Sequence, residues 1–208
     1  MNNLGITYKD LGETRKAVEC YEQALAIARK IGDRLGECNA LGNLGLVFAI
    51  LGDARKAIKY YEKSLVIAQE NGNRSSEGNA LGNLGNAYRA LRDTEKAIEY
   101  YEKSLVIAHE IGDRKMEENC LGNLGNAYTD MGDAKKAIEY YEKALVIARE
   151  IGDRRGESNA LWAMSLVLDS LGDRKQSIEY AKVALKLRED IEDPRAEQIR
   201  RALAEWQK

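Results

Sequence analysis

Hydrophobic and small residues recur along this chain with the spacing of an α-helix, and the whole pattern returns every 40 residues. In the clearest copy Leu81, Leu84, Gly85 and Tyr88 stand at i, i+3, i+4 and i+7, which is one helical face. A second stripe follows at Ala97, Ile98, Tyr101, Leu105 and Ala108. The spacing predicts one helix over about 74–91 and a second over about 94–111. A two-residue turn separates them, seen in sister copies as Gly52-Asp53, Gly132-Asp133 and Gly172-Asp173. Glycine suits the left-handed residue that ends a helix, and aspartate caps the start of the next. The third copy has Arg92-Asp93 instead, which predicts a costly backbone conformation at Arg92. A second turn, Ile-Gly-Asp-Arg, begins at Ile31, Ile111 and Ile151 and joins one copy to the next; Asn71 replaces the isoleucine in the remaining copy.

The string LGNLG begins at Leu41, Leu81 and Leu121, and 24 of 32 positions are identical between 81–112 and 121–152. The repeats run over about 1–32 (partial), 33–72, 73–112, 113–152 and 153–192. No linker or charge run interrupts them, so the sequence suggests one domain. A two-helix unit cannot bury both its faces alone, and stacked units form a continuous core and a superhelix with concave and convex surfaces. The expected fold class is therefore all-α, a solenoid of helix–turn–helix repeats. Glycine inside a helix costs roughly 1 kcal/mol against alanine, yet Gly5, Gly45, Gly85 and Gly125 recur within the core stripe. Close approach of the paired helix is the expected reason.

Met1 aligns with Leu41, so the first copy lacks residues matching 36–40. This suggests either a fragment of a longer array or self-association through an open N-terminal end. At the other end Pro194 fits the first turn of a helix, and Ile199, Leu203 and Trp206 share one face. A capping helix over 194–207 is expected, with partner docking as the alternative.

Composition narrows the function. Hydrophobic residues make up 44% and charged residues 32%, with one proline, as expected of a soluble helical protein. The formal charge of −2 gives no basic face for nucleic acid and no reason to invoke a membrane surface. Cys20, Cys38 and Cys120 are odd in number and irregular in spacing, which predicts reduced, packed thiols, no metal site and a cytoplasmic setting. No apolar run approaches the ~20 residues of a membrane span. The single histidine, His109, aligns with Arg29, Gln69 and Arg149, an exposed position. No nucleophile has a base nearby in sequence, and LGNLGNAY follows no strand, so a phosphate loop fails its context. No catalysis and no cofactor are expected.

Opposite the Leu-Gly-Tyr stripe on the helical wheel lie Asn79, Asn83 and Asn86. The row repeats: Asn39, Asn79, Asn119 and Asn159 share one position, Asn3, Asn43, Asn83 and Asn123 the next, and Asn86 and Asn126 the third, where Leu46 and Leu166 stand in flanking copies. The row is expected to face away from the second helix, on the concave side. Asparagine is a poor helix former, and a solvated face would favour Lys, Glu or Gln. Its amide offers an acceptor and two donors that suit an extended peptide backbone, each net bond contributing about 1 kcal/mol. The competing explanation is that asparagine was copied with the repeat or bonds neighbouring helices. Gly42, Gly82 and Gly122 flank this face and should widen it. Trp162 takes the equivalent place in the fifth copy, either as an end stop, as an apolar anchor or as core. Arg89, Thr129 and Lys9 are variable flanking positions suited to side-chain selectivity.

These residues resemble the tetratricopeptide repeat family. Leu81, Leu84-Gly85, Tyr88, Ala97, Tyr101 and Ser104 match its pattern in order, as do Leu41, Leu44-Gly45, Phe48, Ala57, Tyr61 and Ser64, and Leu121, Leu124-Gly125, Tyr128, Ala137, Tyr141 and Ala144. The first copy matches from Leu4-Gly5, and the fifth is degenerate. The 40-residue period is similar to that of Pins-type adaptors and bacterial repeat arrays. The resemblance implies a right-handed superhelical solenoid and a non-enzymatic scaffold binding a protein or an extended peptide segment through groove asparagines. A self-assembling structural array and a regulatory or sensor fragment of a larger signalling protein are the alternatives.

Overall fold

A computed structural model describes residues 1–206; Gln207, the last residue of the expected capping segment, and Lys208 lie outside the described residues. The described residues form helices α1 (Asn2–Asp10), α2 (Thr14–Ile31), α3 (Arg34–Ile50), α4 (Ala54–Glu70), α5 (Arg74–Ala90), α6 (Thr94–Ile111), α7 (Arg114–Asp130), α8 (Ala134–Glu150), α9 (Arg154–Ser170), α10 (Arg174–Asp190) and α11 (Ala196–Trp206), with no strand among them. The helix boundaries expected from periodicity in the third copy lie within one residue of α5 and α6.

The turns explain the boundaries. Gly12, Gly32, Gly52, Gly72, Gly112, Gly132, Gly152 and Gly172 all have positive φ. Directly after each of seven of these glycines, the side chain of Asp33, Asp53, Asn73, Asp113, Asp133, Asp153 or Asp173 accepts from the backbone N–H three residues on. Each such cap contributes about 1 kcal/mol. Arg92 adopts φ 61° where the sister turns use glycine, as its sequence position predicts.

The chain divides into two compact units, Met1–Ile111 and a second beginning at Gly112. In the first, the hairpins α1/α2, α3/α4 and α5/α6 stack, so that α2 packs on α3 and α4 on α5. Its core holds Tyr21, Leu41, Leu44, Val47, Tyr61 and Leu84. In the second, α7/α8 stacks on α9/α10, and α11 packs on α10. Its core holds Tyr141, Leu161, Met164, Ala181, Ile199 and Leu203.

Inside both units the recurring mid-helix glycine has the same cause. A Cβ built on Gly85 would lie 2.5 Å from the Tyr101 ring, and one on Gly125 at the same distance from Tyr141. The tyrosine of the second helix lies flat across the glycine of the first. Burial of such a ring returns several times the helix-propensity cost of the glycine. A second aromatic layer lies outside this contact, where Tyr88 stacks on Tyr100 and Tyr128 on Tyr140.

Candidate functional site

In the first unit the first helices of successive repeats wall a groove of 420 Å³. Asn39 and Asn43 come from α3, Asn79 and Asn83 from α5, and Asn3 and Ile6 from α1, with Tyr61 and Ser64 of α4 at the floor. Asn39 and Asn79 are exposed, Asn43 and Asn83 half-buried. Every lining side chain is uncharged. Burial pushes the Tyr61 hydroxyl up to about 12, so it stays a neutral phenol at any physiological pH.

The second unit has a corresponding groove of 370 Å³. Asn119, Asn123 and Asn126 of α7 and Asn159 and Trp162 of α9 line it, together with Tyr141, Leu166 and the charged Glu118, Arg188 and Arg195.

The glycines that flank the asparagine row differ from those under the tyrosines. A Cβ on Gly42 would sit 3.6 Å from Ser64 Oγ, one on Gly82 3.5 Å from Ser104 Oγ, and one on Gly122 would meet nothing within 4 Å. Packing does not require these glycines, and their effect is to leave room above the helix. Trp162 occupies the fourth equivalent place. It is 9% exposed and stacks on Trp206 of α11 with ring centroids 5.9 Å apart. Of the readings the sequence left open, this placement favours core packing at the end of the groove.

Asn86 and Asn126 are also tied to the second helix, a contact that a helical wheel does not show. The Tyr101 hydroxyl donates to Asn86 Oδ1 at 2.7 Å, and the Tyr141 hydroxyl to Asn126 Oδ1 at 2.8 Å. The physical reason is the neighbouring glycine: a ring lying across Gly85 or Gly125 carries its hydroxyl to the far side of the first helix. Asn86 does not line the first groove, whereas Asn126 lines the second. An amide whose oxygen accepts one such bond keeps its two N–H donors and one acceptor site for a ligand.

Arg89 and Thr129, the flanking positions, are absent from the described lining of both grooves. Thr129 Oγ1 donates to the Gly125 carbonyl at 2.9 Å and lies 3.1 Å from the Tyr141 hydroxyl. Among the groove residues that were not anticipated, two depart from the repeat. Glu118 stands where Cys38, Gly78 and Ser158 stand in sister repeats, and Arg188 where Ala28, Ala68, Ala108 and Ala148 stand. A charge replacing small residues at a buried repeat position was the available signal.

Glu118 is buried, donates nothing when ionised and accepts from Lys115 Nζ at 2.5 Å; Lys115 also pairs with Asp153. Burial, the larger influence, raises its pKa above the ordinary carboxylate value against the pull of Lys115. Cys20, Cys38 and Cys120 are buried free thiols. Among the described residues no group of three or more His, Cys, Asp or Glu is placed to hold a metal, and no helix is long and apolar enough to cross a membrane.

Stacked antiparallel helix pairs with small residues under tyrosines, and polar rows on their first helices, define a helical-repeat interaction protein. The tetratricopeptide repeat family model matches residues 1–70, 36–110 and 116–190, and the chain belongs to that family. Such repeats generally mediate protein–protein interaction. No curated protein matches the chain. Among solved structures it is similar to BtubC from P. vanneervenii, with a TM-score of 0.80, 24% identity, and coverage of 91% of this chain and 78% of that one. It is similar to a signal transduction ATPase with numerous domains that carries a tetratricopeptide repeat sensor, from Pyrococcus horikoshii, with a TM-score of 0.82 and 24% identity. There it covers 99% of this chain and spans 32% of that one. A Rap protein complexed with Competence and Sporulation Factor gives a TM-score of 0.83 at 16% identity, covering 94% of this chain and 54% of that one. At these identities the likeness is one of fold.

Proposed function

We propose that this chain is a non-enzymatic scaffold that holds an extended segment of a partner protein against its asparagine-lined grooves. The observation that carries this is the convergence of Asn39, Asn43, Asn79 and Asn83 on one groove and Asn119, Asn123, Asn126 and Asn159 on another, beside glycines that packing does not need. Side-chain amides on a rigid helical wall satisfy peptide N–H and C=O groups without demanding a particular side chain. Affinity then comes from several modest bonds in series, and selectivity from the apolar residues beside the row, such as Ile6, Leu46 and Leu166. Three buried free thiols support a reducing, cytoplasmic setting.

A displayed library of random peptides selected on the full chain tests this. Changing Asn39, Asn43, Asn79 and Asn83 together to alanine is expected to weaken selected peptides of the first groove about 100-fold or more, since each lost bond is worth about 1 kcal/mol. Helicity and melting should hardly change, because none of the four amides is needed by the core. Undiminished binding by the variant removes the groove model.

A sensor role within a larger signalling protein is the second reading, supported by the fold likeness to the tetratricopeptide repeat sensor of the archaeal ATPase. Self-association is a third, supported by the exposed Met1 and by the exposed Leu4 of α1 and Ile27 and Ile31 of α2. Light scattering that shows a monomer at every concentration rules it out.

A further inference from the structure

One position of the second helices reverses its charge in a single copy. Glu19, Glu99, Glu139 and Glu179 occupy it in four repeats, and Lys59 in the second. The glutamate has a settled partner one turn further along the helix. Glu99 accepts from Lys103 Nζ at 2.5 Å, and Glu139 from Lys143 Nζ at 2.7 Å. On α4 the same spacing brings Lys59 beside Lys63, and like charges one turn apart destabilise a helix. Among the described residues neither lysine has a carboxylate partner, and Lys63 Nζ lies 5.8 Å from the centre of the Tyr60 ring.

Lys59 and Lys63 line an open trough of 420 Å³ between α2 and α4. It shares no lining residue with the asparagine groove of the same unit. Its apolar surface comes from Leu41, Val66 and Ile67, and Val66 is 52% exposed. Arg29 and Glu37 also line it, but they are paired: Arg29 Nε donates to one oxygen of Glu37 at 2.8 Å, and Arg34 Nη1 to the other at 2.8 Å. With Glu62, the trough holds three cations and two carboxylates. The equivalent positions of the third copy, Gln69, Glu77, Glu99, Glu102 and Lys103, hold one cation and three carboxylates. Leu81, Val106 and Ile107 repeat the apolar positions. The second copy thus keeps the apolar surface and reverses the charge around it.

We propose that this trough is a second docking surface, separate from the asparagine groove, and that it receives an acidic amphipathic helix of a partner protein. Charge complementarity selects the partner's sign, because Lys59 and Lys63 are the cations left without a carboxylate. Shape selects a macromolecule: an open trough covers one side of its occupant, whereas a small-molecule site encloses most of its ligand. Spacing selects a helix. Lys59, Lys63 and Val66 lie on one stripe at i, i+4 and i+7, and a helix with two carboxylates one turn apart and an apolar side chain beside them matches it. Exposed ion pairs contribute modestly and fade with salt, so they set the choice of partner while the apolar contact adds to the affinity.

The test titrates the full chain into a labelled, end-blocked probe peptide of about 15 alanine-based residues, long enough to populate a helix. The probe carries two glutamates one turn apart and a leucine beside them. Fluorescence anisotropy at low salt should show it binding at least about fivefold tighter than the same peptide with glutamines, because two exposed ion pairs are added. The preference should shrink at high salt. Lys59→Glu, which installs the sister residue and a Glu–Lys pair, should abolish the preference without lowering the melting temperature. Lys59→Glu combined with Lys63→Glu should favour a probe with lysines in place of the glutamates. Changing Asn39, Asn43, Asn79 and Asn83 to alanine should leave each of these results as it is, so the two sites can fail separately. Equal binding of the glutamate and glutamine probes, or binding of neither, overturns the proposal and leaves the groove reading standing. A preference that survives Lys59→Glu, or one lost with the four asparagines, also overturns it. Self-association of the chain that Lys59→Glu abolishes would make a second copy the occupant and overturn the partner helix.

Discussion

The hydroxyl of Tyr101 on α6 donates to Oδ1 of Asn86 on α5 across 2.7 Å, directly beside the glycine that its ring covers. One residue therefore belongs at once to the polar row and to the packing of the hairpin. In the second repeat Leu46 stands at the Asn86 position while Tyr61 keeps its place, so the hairpin tolerates the exchange.

A double-mutant cycle on Asn86→Leu and Tyr101→Phe should give a coupling of about 1 kcal/mol, the usual net worth of a neutral hydrogen bond. Urea unfolding of the four proteins measures it. Strict additivity would show that the bond contributes nothing and that Asn86 is free to serve a ligand.

The two glycines of the fourth repeat's LGNLG should respond oppositely to alanine. Gly125→Ala pushes a Cβ to 2.5 Å from the Tyr141 ring. The ring is buried and cannot retreat without opening the hairpin, and overpacking of this kind costs about 1–3 kcal/mol. Gly122→Ala meets open space and should gain up to about 1 kcal/mol of helix propensity. Its added methyl narrows the groove, so peptide affinity should fall as stability rises. Chemical denaturation and peptide titration on the same two variants check both halves.

Arg92 holds φ 61° at a turn where every other first-to-second-helix turn has glycine. Left-handed backbone costs a side-chain-bearing residue about 1 kcal/mol. Arg92→Gly should therefore stabilise by roughly 0.5 kcal/mol or more, after the larger chain entropy of unfolded glycine is subtracted. Arg92→Ala should bring no gain, because the Cβ remains. Equal melting of wild type and Arg92→Gly would mean that the turn is not strained.

Much of the fold was legible because it depends on local periodicity. Leu84, Gly85 and Tyr88 fix one helical face, and Gly52-Asp53 fixes a turn, whichever repeat surrounds them. The candidate site was legible only in part. A helical wheel places Asn83 and Asn123 beside a groove, but it contains no second helix, so it missed the reach of Tyr101 and Tyr141 to Asn86 and Asn126. Glu118 and Arg188 escaped for another reason. Their importance lies in departing from the repeat, and a reading built on what recurs passes over the positions that differ. The stacking of Trp162 on Trp206 joins residues 44 apart and has no periodic signature.

Glu118 sets a contest between burial and its partner Lys115, and pH decides it. Burial dominates and raises the carboxyl pKa above its ordinary value, while Lys115 pulls it down. A group whose folded pKa is raised contributes its full stability below the unfolded pKa and loses it as pH rises through the folded pKa. For this carboxyl the loss begins near the ordinary value of about 4.3 and is complete above the raised one. Glu118→Gln keeps the shape and is neutral throughout, and Lys115 retains Asp153 as a partner. The variant should match wild type near pH 4 and become the more stable protein as pH rises toward 7. Other titrating groups are common to both proteins and cancel in the difference. Urea midpoints at pH steps from 4 to 8 trace that difference directly. If the variant instead weakens relative to wild type across this range, pairing with Lys115 outweighs burial, and Glu118 is a stabilising ion-pair partner rather than a charge held at a cost on the groove wall.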